Sequence, residues 1–200
     1  LASAGEYSVV VSNSFGSMTS SNATLTVNTQ AGCLAPPAGL VSWWRGEANA
    51  LDQVGANNGT LVGNTTYGVG RVSQGFVFDG NADAVSLGNP ATLQLQDFTI
   101  ETWIKRASAT TASFDPNGAG IFGYGSGGYI LGMLDNGTPF LSRVGIDNVT
   151  PNMTIADTNL HHLAVTKTGA TVVFYVDGVA YLVPPYNTTY SFATTAAIGA

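Results

Sequence analysis

"ATVVFYVDGVAYLV", residues 170–183, is the stretch that decides the fold. Two apolar runs rich in β-branched and aromatic residues flank Asp177-Gly178. An Asp-Gly pair takes positive φ at both central positions of a two-residue turn, so the stretch reads as a β-hairpin. Outward from it, short apolar runs alternate with turn clusters from Gly39 to the end. Strands are expected near 40–45, 59–63, 75–79, 83–88, 97–105, 119–124, 128–134, 138–144, 152–156, 161–167, 171–177, 179–183 and 195–199. Further turns are written at Asp79-Gly80-Asn81 and Asp135-Asn136-Gly137. No stretch sustains a period of 3.6, so the expected fold is all-β, an antiparallel β-sandwich of jelly-roll type.

The composition fits that class. The chain is 44% hydrophobic, enough for a real core, while only 9% of its 200 residues are charged. Solubility then rests on Thr, Asn, Ser and Gly, a polar uncharged surface common in secreted and cell-surface β-proteins. Lys and Arg number six against a net charge of -6, which gives no electrostatic footprint for a phosphate backbone. Nucleic acid is therefore excluded as a partner. No apolar run approaches the ~20 residues of a membrane span, and no basic amphipathic stretch points to a membrane surface. The chain starts at Leu1 without a methionine or signal peptide and is read as an internal piece of a longer polypeptide.

Residues 1–28 read as a hairpin. Tyr7, Val9 and Val11 alternate with Ser8, Val10 and Ser12; Ala23, Leu25 and Val27 alternate with Thr24 and Thr26; a turn lies at Asn13–Gly16. One face is expected to be buried. A lone hairpin is marginal, so strands preceding Leu1 are expected. Ala4-Gly5-Glu6-Tyr7 and "SNSFGS" resemble the last two strands of a bacterial immunoglobulin-like domain, which implies that Tyr7 is a tyrosine-corner residue. Ser3 stands where that family has an acid, and Val9 where antibody-type domains place a cysteine, so no core disulfide is expected. Residues 29–38, "TQAGCLAPPA", read as a linker. Cys33 is the only cysteine: either its partner lies outside this chain, or it is a free or buried thiol.

From residue 39 to 200 the order of pieces is informative. "GLVSWWRGEANALDQVGANNGTLVG" precedes "YGVGRVSQGFVFDGNADAVSLG" and "FTIETWIKR"; "LHHLAVTKTGATVVFYVDGV" and "AAIGA" follow. The series resembles the laminin-G-like (concanavalin A-like) jelly-roll family of large bacterial surface and secreted proteins. Leu160 stands where that family often has Trp. The family's closing aromatic-Asn-Gly segment and acidic final strand have no counterpart before Ala200. The unit is therefore expected to lack its last strand, to keep an unpaired edge, and to be less stable than an intact module.

One loop is unusually rich in oxygen. Glu47, Asn49 and Asp52 fall within six residues, and Asn57 and Asn58 follow. Calcium takes six to eight oxygen ligands from such groups. The resemblance implies a structural Ca2+ here, with Asp52 as its main ligand and Asn49, Glu47 and Asn58 around it. Glu47 replaces the family's common Asp and has a longer reach. The competing reading is a polar loop in which Asn and Asp build their own turns.

The aromatic residues carry two further expectations. On a strand Trp43 and Trp44 point to opposite faces, one into the core and the other under the following loop or the neighbouring domain, or serving as a sugar-stacking platform. In "FTIETWIK", Phe98, Ile100, Thr102 and Ile104 form the core face. Trp103 and Glu101, with Lys105, then share the other, which is either a ligand surface or a face covered by a loop. His161 and His162 point apart and cannot chelate one ion together, so both read as structural.

A glycosidase usually needs two carboxylates flanking the scissile bond. The chain has only Glu6, Glu47 and Glu101 as glutamates, none followed two residues on by another acid, and no Gly-x-Ser-x-Gly elbow or phosphate loop. The sequence therefore points to a non-catalytic, secreted or cell-surface binding or adhesion module. Its expected partner is a glycan or an extracellular protein, besides neighbouring domains of the same chain. A structural spacer and an accessory domain of a secreted glycoside hydrolase are the alternatives.

Overall fold

The computed structural model describes residues 5–26, 36–113 and 118–199; Cys33 and most of the 29–38 linker lie outside them. The chain divides into two compact units, Leu1–Ala38 and Gly39–Ala200. In the first, β1 (Gly5–Tyr7) pairs with β4 (Ala23–Leu25), and β2 (Val10–Asn13) with β3 (Gly16–Thr19), all antiparallel. The side chain of Asn13 closes the turn by accepting the Phe15 N–H at 2.9 Å. Every described residue of this unit is exposed, so the alternation around Tyr7 meets no second layer within it.

The second unit is the predicted sandwich. Its strands are β5 (Thr60–Val62), β6 (Thr66–Val69), β7 (Gln74–Val77), β8 (Ala84–Gly88), β9 (Phe98–Lys105), β10 (Ala119–Tyr124), β11 (Tyr129–Met133), β12 (Pro139–Arg143), β13 (Asp147–Val149), β14 (Leu160–Thr168), β15 (Thr171–Val176), β16 (Val179–Leu182) and β17 (Ala196–Ile198). A seven-stranded sheet runs β13-β12-β11-β10-β17-β8-β5, and a four-stranded sheet runs β16-β15-β14-β9. Every pairing is antiparallel; β6 and β7 form a separate ribbon.

Alternation sets the core. Leu163, Val165, Val172 and Phe174 from the four-stranded sheet meet Val85, Leu131 and Leu141 from the other, and all are fully buried. Each such side chain contributes about 1.5–3 kcal/mol. Phe98 of β9 stacks on Tyr129 of β11 with ring centroids 4.4 Å apart, bridging the two layers. Inside the deciding hairpin Val176 pairs with Val179, and Asp177 (φ 49°) and Gly178 (φ 83°) both take the positive φ the sequence requires.

Two expected strands are absent, and two others, β6 and β13, form outside the expected ranges. Residues 40–45 form no strand and make only an isolated bridge, Trp44 to Asp52. Their ladder groups are taken by the following loop: the Trp43 N–H donates to the Asp52 carboxylate and the Trp43 carbonyl accepts the Gln53 N–H. Residues 152–156 also form none, because the Ile155 N–H donates sideways to the Gly137 carbonyl. The strand of that region is β13. β6 escaped the sequence reading because glycines interrupt its apolar run.

Candidate functional site

The outer face of the four-stranded sheet carries side chains that the fold does not use. Period-2 alternation on β9 sends Phe98, Ile100 and Ile104 against the core and leaves Thr99, Glu101, Trp103 and Lys105 exposed. Trp103 is 47% exposed. Its cross-strand partner on β14 is His162, whose ring meets the indole edge-on at 5.4 Å and 62°. The His162 Nε2 lies 3.8 Å from the Glu101 carboxylate. The β6–β7 ribbon supplies a fourth group. Its turn, closed by the Gly70 N–H on the Ser73 carbonyl, puts the Arg71 guanidinium 5.0 Å from the Trp103 ring centre. Arg71 was invisible in the sequence: only its place in the glycine-bounded turn "GRVSQG" could have marked it.

The described aspartates are committed to the fold. Each described aspartate accepts a hydrogen bond from a backbone N–H or a side chain: Asp52, Asp79, Asp83, Asp97, Asp135, Asp147, Asp157 and Asp177. Glu101 accepts no such bond among the described residues, and its side chain is 66% exposed beside the tryptophan.

The oxygen-rich loop is organised by its own backbone. Asp52 is buried; its Oδ1 accepts the N–H groups of Trp43 and Val54 at 3.0 Å, and its Oδ2 that of Asn57 at 3.2 Å. Asn58 Oδ1 accepts the Asp52 N–H, and Asn49 Oδ1 that of Leu51. Burial raises the Asp52 pKa, but the N–H groups of Trp43, Gly55 and Val54 and the Ser42 hydroxyl outweigh it, holding the carboxyl below its ordinary value. Trp44 anchors the loop, packing on Phe122 at 5.7 Å and donating from Nε1 to the Asn57 carbonyl at 2.7 Å. Trp43 stays 42% exposed under Arg45. These oxygens face N–H donors, and among the described residues no three His, Cys, Asp or Glu side chains converge on a point. Glu47 is half-buried, and its backbone carbonyl accepts the Asn49 side-chain amide at 2.9 Å.

His161 points away from His162. Its Nδ1 lies 2.7 Å from Asp177 and its Nε2 3.0 Å from Asp157. Asp157 and then Asp177 raise its pKa, against a smaller opposing effect of burial. A shallow cleft of about 290 Å³ on the other sheet is lined by Phe122, Gly123, Ile130, Thr194 and Ala197. It carries no charged group, and its Thr194 hydroxyl is already bonded to the Gly125 N–H.

The fold is an antiparallel jelly-roll β-sandwich. The profile of the concanavalin A-like lectin/glucanases superfamily matches residues 79–200, more than half the chain, and the protein belongs to that superfamily. Among solved structures, it is similar to domain 4 of AbnA, a GH43 extracellular arabinanase from Geobacillus stearothermophilus, in complex with arabinotriose. That likeness has a TM-score of 0.59 at 16% identity, covering 75% of this chain and 77% of the other. A carbohydrate-binding module, CBM66 from Bacillus subtilis, aligns with a TM-score of 0.39 at 15% identity over 69% of this chain and 89% of its own. No curated protein matches.

Proposed function

We propose that the Gly39–Ala200 unit is a non-catalytic, extracellular glycan-binding module whose contact surface is the Trp103 face. The observation that carries this reading is a half-exposed tryptophan ringed by Glu101, His162 and Arg71, groups that stabilise nothing in the core. An indole face packs against the C–H face of a sugar ring, and the carboxylate, imidazole and guanidinium offer the acceptor and donors that hydroxyl groups need. Binding rather than catalysis is supported by the aspartates, which are spent on turns and strand ends. The arabinanase domain of similar fold was solved with arabinotriose, which supports a saccharide over a peptide. No helix among the described residues is long and apolar enough to cross a membrane. The N-terminal unit is, on the same reading, part of a neighbouring immunoglobulin-like domain of a longer extracellular chain.

Calorimetric titration with a panel of oligosaccharides, arabinotriose included, tests the reading. Trp103→Ala should weaken binding by about tenfold or more and leave the melt unchanged. If no saccharide binds, the glycan reading falls and a structural spacer takes its place.

A further inference from the structure

The distribution of positive charge narrows the ligand class. The chain has six Lys and Arg: Arg45, Arg71, Lys105, Arg106, Arg143 and Lys167. Two are buried. Lys167 donates to the Gln96 and Gly169 carbonyls at 3.1 and 2.8 Å, and Arg106 to those of Ile155 and Asp135. Arg143 is half-buried, and Arg45 is exposed with its guanidinium over the Trp43 ring. Arg71 and Lys105 are exposed too, and both belong to the Trp103 surface. Lys105 follows Trp103 by two residues on one strand face, about 7 Å along it. Among the described residues neither Arg71 nor Lys105 pairs with a carboxylate. The Arg71 guanidinium carbon lies 5.0 Å from the indole centre, and a guanidinium keeps N–H donors along its edge for a planar two-oxygen group. Two carboxylates lie beside His162: Glu101 leans toward its ring, and Asp177 accepts its N–H while meeting His161. Both carboxylates face histidines, so among the described residues Arg71 and Lys105 are the cations of this surface without an acidic partner, on a protein of net charge -6.

We propose that the ligand of this surface is an anionic glycan, its carboxylate or sulfate group held by Arg71 and Lys105 while a sugar ring rests on Trp103. The proposal rests on the glycan-binding reading. A guanidinium with free edge donors takes a carboxylate or a sulfate in a two-point bond, and a stacked, positioned one loses less freedom in doing so.

The full chain, and its Arg71→Gln, Lys105→Gln and Trp103→Ala variants, would be titrated with trigalacturonate, a sulfated heparin-derived oligosaccharide and neutral arabinotriose. An anionic ligand should bind at least about tenfold tighter than the neutral one. Arg71→Gln should erase that preference with the melt unchanged, and Lys105→Gln should reduce it. Raising salt from about 50 to about 500 mM should weaken the anionic ligands alone. Whichever anionic arm binds tighter identifies the group as carboxylate or sulfate. Neutral binding of equal strength, indifferent to Arg71→Gln but lost in Trp103→Ala, would overturn the charge proposal and leave glycan binding standing. Absence of binding by all three ligands would remove both.

Discussion

At the scale of single residues, Asp52 shows how a carboxylate can organise a loop through backbone N–H groups. Its two oxygens take three backbone N–H groups, from Trp43, Val54 and Asn57. Asp52→Ala leaves those donors buried or misdirected and should cost about 2–4 kcal/mol, read as a lower unfolding midpoint in denaturant. Because the folded state holds this carboxyl below its ordinary value, its contribution is complete above the unfolded pKa. It is lost as pH falls through the depressed folded value. Melts in calcium and in chelator should coincide. A calcium-dependent rise, abolished by Asp52→Ala, would contradict this account of the loop. Sequence could place these oxygens together but could not say which way they face. Asp, Asn and Gly compose a cation loop and an Asx-turn loop alike, and only the direction of the N–H groups separates them.

At the scale of elements, the β15–β16 hairpin is where local chemistry and tertiary contact meet. A Cβ on Gly178 would touch nothing within 4 Å, so the cost of Gly178→Ala is backbone strain at φ 83° alone. The expected loss is about 1 kcal/mol, measurable by chemical denaturation. Asp177, beside it, holds the start of β14: its Oδ1 accepts the His162 N–H and its Oδ2 meets His161, which Asp157 grips from the other side. His161 has a raised pKa, so this clamp is whole below the ordinary histidine value and loosens as pH rises through the folded value. Asp157 and Asp177 are held below their ordinary values, chiefly by His161, so it also weakens at acid pH as they protonate. Melting temperature followed between these limits should decline on the alkaline side, and His161→Gln should flatten that decline. The hairpin and the two faces of β9 were legible because Asp-Gly and strict alternation are local signals. The run at 40–45 forms no strand because its Trp43 N–H is claimed by a side chain nine residues on, which no periodicity reports.

At the scale of the whole molecule, the core lies within the Gly39–Ala200 unit: every buried core residue, from Ala50 to Ala196, belongs to it. Removal of residues 1–38 should therefore leave a single cooperative melt with the midpoint of the full chain; loss of cooperativity would show the unit to be incomplete without them. The Trp103 surface was half legible. Trp103, Glu101 and Lys105 follow from alternation on one strand, but Arg71 arrives from another ribbon, and only folding brings it there. The three tryptophans offer the direct measurement: Trp43, Trp44 and Trp103 account for the chain's indole fluorescence. Emission would be recorded during titration with a bound oligosaccharide in the wild type, Trp43→Phe and Trp103→Phe. The account predicts a saturable change that Trp43→Phe retains and Trp103→Phe abolishes. A change that survives in Trp103→Phe and vanishes in Trp43→Phe would place the ligand at the other exposed indole and contradict it.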